Sequence, residues 1–309
     1  MSATATTGRA SIEAIPLVPH EQTDWSRVKR STYVIRQHLR YEYPAPISAL
    51  RQRLMIVPPS RHGDQRCTAW WVDVSQPARR HDRRDRFGNR VISLDVGRVD
   101  DAIEFDSCIA VERRSTPRPH RVPIDATLAQ TTPLTTPDPQ LAEAARELRG
   151  RHPHRATRAE EVCAWVHDHL AYRFGVTAVH TTAAEALAGG LGVCQDYAHI
   201  MLAVCRQAGL PARYISGHLL GEGGSHAWVE VLLPDPDRVS GWAAMALDPT
   251  HNTAAGLNYV TIAAGRDYSD VAPTSGTYRA TSIGSLHARK RVGLVAVEHR
   301  TSPAPSGSA

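Results

Sequence analysis

At 309 residues the chain is long enough to bury a sizeable core and to hold two domains. Its 36 Lys and Arg against 31 Asp and Glu leave a net charge of +5. The cations are nearly all arginine, scattered without a basic stripe or arginine–aromatic interleaving, which excludes nucleic acid as a partner. No run of 18 apolar residues exists, so no membrane-spanning helix is expected. Residues 1–23 show no apolar core bracketed by positive charge and a cleavage site, and the five cysteines are far apart with no C-x-x-C pair. The expected compartment is the cytoplasm, where thiols stay reduced, with no structural zinc.

Residues 1–27 are rich in Ser, Thr and Ala and aperiodic, and are expected to form a disordered leader. From 28 to 114 the chain reads as an all-β domain. Strand candidates at 33–41, 50–57, 67–74, 91–96, 102–105 and 108–112 alternate partially and close on turn residues such as Pro58-Pro59 and Gly63-Asp64. The charged run at 79–86 reads as a solvated approach to a turn at Phe87-Gly88-Asn89. Residues 115–138 are rich in Pro and Thr, the composition of a linker.

Helices follow. Pro139 sits at an early helical position, with Leu141, Ala144, Ala145 and Leu148 on one face and Gly150 ending the run. A second helix is expected at 158–172, with Val162, Trp165, Val166 and Leu170 at helical spacing, and a third, short one at 182–187, capped by Thr181 or Thr182. The stretch from Gly190 to Gly209 organises the rest. After Gly189, Gly190 and Gly192, residues 193–208 run without Pro or Gly and are apolar around most of the circumference, as in a buried helix. Cys194 falls in its first turn, where unpaired N–H groups and the helix dipole favour thiolate, the nucleophilic form.

Strands are expected at 212–219, 226–233 and 242–248. A turn at 234–237 would make the last two antiparallel neighbours, bringing His226 at the start of one close to Asp248 at the end of the other. Packing the Cys194 helix on that sheet gives nucleophile, base and the acid that orients the base. Cys205 and the cysteines at 67, 108 and 163 read as small hydrophobes. His199, about 140° around the helix from Cys194, reads as structural. Asp196 reads first as a helix-stabilising acid of the first turn and second as a residue that recognises an amine or tunes the thiol. Trp228 shares a strand face with His226 and either shields the His–Asp pair or simply packs. His167 and His169, two apart on a helix, diverge too far to share a metal.

Cys194-Gln195-Asp196-Tyr197-Ala198-His199, Ser225-His226-Ala227-Trp228 and Leu247-Asp248-Pro249-Thr250 resemble, in order, the three core motifs of the bacterial transglutaminase-like proteins, relatives of transglutaminases and papain-type thiol peptidases. The resemblance covers roughly residues 30 to 300. Tyr41-Glu42-Tyr43-Pro44-Ala45-Pro46 and Asp85-Arg86-Phe87-Gly88-Asn89 are similar to that family's N-terminal β domain, and 259–273 to its closing segment. It implies an α+β fold, an N-terminal antiparallel β domain (28–114) ahead of a papain-like core (139–300) with a nucleophile helix against an antiparallel sheet. A final strand is expected at 294–297, and a small-residue tail, expected to be disordered, at 301–309. The implied activity is thiol-dependent acyl transfer by Cys194, His226 and Asp248 on a peptide or protein amide, with no metal or cofactor. In papain-type sites a glutamine before the cysteine completes the oxyanion hole. None stands in the six preceding positions here, which leaves the Cys194 N–H as first donor and the Tyr172 hydroxyl as candidate second. Hydrolysis is the favoured outcome. A true transglutaminase, a small-acceptor N-acyltransferase with the same triad, and a non-catalytic protein-binding module are the alternatives.

Overall fold

The computed structural model describes residues 16–116, 119–123, 125–235, 237 and 241–300. The expected tail at 301–309, the first fifteen residues of the expected leader and part of the turn at 234–237 lie outside the described residues. The first half is strand: β1 (Val28–Glu42), β2 (Ile47–Leu54), β3 (Arg61–His62), β4 (Gln65–Val74), β5 (Arg79–Arg84), β6 (Arg90–Val99) and β7 (Ala102–Arg114). Alternate residues point one way, Tyr33, Ile35 and Leu39 from β1, Ile92, Leu94 and Val96 from β6, Ile103 and Phe105 from β7, and these rows bury against one another as a single core. The run at 79–86 is therefore not only an approach to a turn. Most of it is β5, an exposed edge strand whose charges disfavour pairing with another chain. The two strands expected within 102–112 are one continuous strand, because Asp106 and Ser107 keep their pairing with His38 and Gln37 of β1.

Past β8 (His120–Val122), α1 (Pro139–Arg151) starts where Asp138 caps it, its carboxylate accepting from the Leu141 N–H at 2.9 Å. The next helix, α2 (Arg155–His169), begins and ends three residues before the sequence reading. Leu170 leaves it in an extended conformation, its carbonyl accepting from the Tyr197 hydroxyl at 2.8 Å. The following Ala171–Tyr172 form β9, so Tyr172 is not helical. After α3 (Ala183–Gly189), Gly190 closes the helix at φ +65°, the left-handed region that favours glycine. Leu191–Gly192 (β10) pair in parallel with β9 and lead straight into α4 (Cys194–Gln207).

The core sheet comprises β11 (Ala212–Leu219), β12 (His226–Pro234), β13 (Trp242–Asp248), β14 (Thr253–Ala254) and β15 (Tyr259–Gly265), ordered β14-β13-β12-β11-β15 with β8 also on β13. Helix α4 packs on β12 and β11 and is covered by α1, α2 and α3, which accounts for an apolar circumference rather than a stripe. A last short helix, α5 (Tyr268–Val271), leads to β16 (Thr274–Arg279) and β17 (Ser285–His299).

These last two strands redraw the domain boundaries. β17 runs antiparallel beside β1 from Glu42↔Ser285 to Val28↔His299, and β16 pairs with β2. Residues 274–299, expected in the core, thus complete the N-terminal sheets, ordered β17-β1-β7-β4-β3 and β16-β2-β6-β5. Val18, in the expected leader, donates its N–H to the Leu294 carbonyl at 2.7 Å. The expected linker contributes β8 to the core sheet. The two parts also share polar contacts. β15, at the edge of the core sheet, is met by two amide side chains from the N-terminal domain. Gln65 accepts from the Thr261 N–H at 2.8 Å and donates to its carbonyl at 2.7 Å, and Asn89 does the same for Ala264 at 2.8 and 2.7 Å. Among the described residues no helix is long and apolar enough to cross a membrane.

Candidate active site

Cys194 is the first residue of α4 and is half-buried at the base of a cleft of about 290 Å3. Val193 before it is extended, so the helix begins abruptly at the cysteine. Asp196 ties this entry down: its Oδ2 accepts from the Val193 N–H at 2.8 Å and from the Thr177 hydroxyl at 2.7 Å. Asp196 is 1% exposed, and burial raises its pKa. It faces the helix entry and loop rather than the cleft, which favours the helix-stabilising reading over amine recognition. Gln195 lines the cleft and donates to the Val179 carbonyl at 3.2 Å.

The antiparallel pairing of β12 with β13 sets Val229 opposite Leu247, and the strand ends bring His226 Nε2 within 2.7 Å of Asp248 Oδ2. Both side chains are buried. The other nitrogen, Nδ1, lies 3.1 Å from Glu222 Oε2, and the His226 ring lines the cleft together with Cys194. Burial alone would push the His226 pKa down. Hydrogen bonds to Asp248, Cys194 and Glu222 outweigh it and raise the pKa well above the ordinary imidazole value. Asp248 is likewise penalised by burial, but the contact with His226, followed by those with His251 and Tyr259, lowers its pKa to about 2. With carboxylates against both ring nitrogens, the imidazolium is the form this geometry holds.

Glu222, His251 and Tyr259 complete the network, and sequence reasoning missed them. The Tyr259 hydroxyl and His251 Nδ1 each donate to Asp248 Oδ2 at 2.8 Å, and Thr250 N–H donates to Oδ1 at 2.9 Å. His251 Nε2 reaches Glu222 Oε1 at 3.3 Å, which closes a ring of two imidazoles and two carboxylates. His251 follows the Asp-Pro-Thr motif directly and Glu222 stands four residues before His226, so proximity in sequence was the available signal.

Trp228 is 2% exposed and its ring lies 6.3 Å from that of His226 at 25°, with the Tyr259 ring 5.3 Å further on, so it walls the His–Asp pair from solvent. Tyr172 is 58% exposed at the cleft rim beside Phe174. Burial, followed by the neighbouring Cys194, raises its pKa, which keeps the phenol a donor. His199 is fully buried, 3.3 Å from the Tyr268 N–H, and Cys205 sits in the core.

Among the described residues three clusters have metal-ligand spacing: His62, His120 and Glu230; His38, Glu104 and Asp106; and His226, Asp248 and His251. In the first, Glu230 already holds Arg213 through its other oxygen, and the last is part of the His226–Asp248–His251 network described above. His167 and His169 turn to the Thr250 and Trp165 carbonyls respectively.

Residues 142–247 match the model of the transglutaminase-like superfamily and residues 33–112 that of the bacterial transglutaminase-like N-terminal region. An uncharacterized protein of Mycobacterium leprae is 36% identical over 160 residues, 48% of this chain and 54% of its own, so the match spans about half of that relative. An uncharacterized protein of Mycobacterium bovis is 27% identical over 286 residues, covering 82% of this chain and 90% of its own. Among solved structures, a candidate cysteine protease from Cytophaga hutchinsonii superposes with a TM-score of 0.71 at 19% identity, covering 90% of this chain and 94% of that one. That likeness is one of fold.

Proposed function

The chain belongs to the transglutaminase-like superfamily, with the bacterial N-terminal region ahead of its core, and from that premise we propose that it is a thiol-dependent acyl-transfer enzyme that hydrolyses a peptide or isopeptide amide. One observation carries the reading. A buried imidazole is fixed by Asp248 at 2.7 Å through one nitrogen and shares a cleft with a thiol on the first residue of a helix.

In the proposed reaction the Cys194 thiolate attacks the amide carbonyl carbon. Negative charge developing on the carbonyl oxygen is met by N–H groups at the start of α4, with the Tyr172 hydroxyl as second donor. The imidazolium Nδ1–H of His226 protonates the leaving nitrogen, the C–N bond breaks, and a thioester remains on Cys194. His226, now neutral, takes a proton from water as its oxygen attacks the thioester carbon. Collapse releases the carboxylic acid product and restores the thiolate–imidazolium pair. Asp248 keeps the ring in the orientation both transfers need. A primary amine in place of water would make the same intermediate a cross-link. The reducing cytoplasm is the compartment that suits this chemistry, since no disulfide joins the cysteines.

The test is the alkylation rate of Cys194 by iodoacetamide against pH, located by peptide mass mapping, with a screen of amide substrates alongside. The expected result is fast modification well below the ordinary thiol pKa of about 8.5. His226→Ala should slow it, and turnover by that variant should fall roughly 10²- to 10⁴-fold. Released acid unaffected by added amine indicates hydrolysis, and amine incorporation indicates transfer. A Cys194 that reacts as an ordinary thiol, indifferent to His226, would refute the reading in favour of a binding module.

A further inference from the structure

The chain contains only two lysines among its 36 basic residues, Lys29 and Lys290. Lys290 projects from β17 on the same face as Leu286 and Ala288, and these three form the wall of the cleft contributed by that strand, across from Cys194 and His226. Its surroundings are low in water: burial holds its ammonium below the ordinary lysine range. The nearby ring of His218 is buried, which lowers its pKa, and the Lys290 charge adds to that lowering. That ring in turn contacts the Gly224 carbonyl at 3.0 Å, two residues before His226.

Among the described residues no carboxylate pairs with Lys290, and the residues lining the cleft include neither Asp nor Glu. The other lysine, Lys29, is paired with Glu298 at 3.0 Å, and the partly buried Arg113 with Asp64 at 2.6 Å. A partly desolvated ammonium without a counter-ion is costly unless an anion is supplied. The position beside a thiol that attacks carbonyl carbons suggests that the ligand brings it.

Resting on the hydrolase reading above, we propose that Lys290 binds a carboxylate of the acyl donor, so that the substrates are amides carrying a carboxylate close to the scissile carbonyl. The carboxylate is either an acidic side chain or a free chain terminus. A strand of the N-terminal sheets then sets the specificity of a nucleophile in the core, which gives that domain a part in substrate choice.

Iodoacetate and iodoacetamide differ by a carboxylate in place of an amide, and both report on Cys194 without a known substrate. The experiment measures the ratio of their alkylation rates at Cys194 in the wild-type chain, Lys290→Gln and Lys290→Arg. His226 is unchanged throughout, so its charge cancels in the comparison. The expected result is a ratio roughly threefold to tenfold lower in Lys290→Gln, for loss of one partly screened charge, and restored in Lys290→Arg. Protection of Cys194 by N-acetylglutamate α-amide against N-acetylglutamine identifies whether the side-chain or the terminal carboxylate is taken, with N-acetylglutamine amide as the neutral reference. A ratio indifferent to Lys290, or equal protection by all three compounds, overturns the assignment while leaving the thiol chemistry standing. A Cys194 slow towards both reagents refutes the hydrolase reading and removes this proposal with it.

Discussion

Asp248 Oδ2 accepts from His226, His251 and Tyr259 at once, and this crowding has a signature in acid. Its folded pKa is depressed to about 2 from an ordinary 3.8, so its contribution to stability is present above 3.8 and is lost as pH falls towards 2. His226 is shifted the other way: raised in the fold, it contributes fully below its ordinary 6.5, and that contribution drains as pH rises above it. The pair is therefore worth most between about pH 4 and 6.5. Asp248→Asn should cost about 2–4 kcal/mol at pH 5 and converge with the wild type near pH 2, as measured by denaturant unfolding across pH. Parallel acid limbs in the two proteins would contradict this. Cys194, His226 and Asp248 were legible because each sits in a contiguous signature at an element's end, where chain direction itself aims the side chain. Glu222, His251 and Tyr259 were not, since their roles arise from a ring closed across two loops and two strands.

Within the sheet, Gly217 of β11 lies opposite His226 and carries no side chain because there is no room for one. A methyl placed there would meet the Val260 carbonyl oxygen and stand 2.5 Å from Trp228 Cη2. Gly217→Ala should therefore cost about 1–3 kcal/mol by overpacking. It should also tilt Trp228 off the His226 ring and slow Cys194 alkylation. An alanine variant with unaltered melting temperature and thiol reactivity would show the contact to be loose. The element boundaries divide by how local their causes are. β13 ends at Asp248 as read, because an apolar run meets an acid and a proline. The end of α2 was misplaced because Leu170 is drawn out of the helix by the Tyr197 hydroxyl, twenty-seven residues away in sequence. β17 was read as only 294–297, because its inward row, Leu286, Ala288, Lys290, Val292 and Leu294, is interrupted by a lysine and flanked by arginines. Its partner, β1, stands at the other end of the chain.

At the scale of the molecule, the join between the two parts is a pair of amides set against an open sheet edge. Asn89 and Gln65 each present a donor and an acceptor to a β15 backbone unit, as a further strand would, but at two points. Asn89→Ala would orphan the buried N–H and C=O of Ala264 together. The expected loss is about 2–4 kcal/mol in denaturant unfolding, against no more than about 0.5 kcal/mol for a solvent-exposed control such as Arg83→Ala. Equal effects of the two would mean that water replaces the amide. The pairing of β17 with β1 has a different consequence, one that plays out in time. A ribosome that has reached residue 248 has already delivered Cys194, His226 and Asp248, the proposed nucleophile, base and orienting acid. The strand bearing Leu286, Ala288 and Lys290 emerges later, and must find a partner made some 250 residues before it. Until it does, the cleft beside the thiol lacks one wall. The reactive group is thus made early and enclosed last, so that only a chain translated to its final strand holds a complete site.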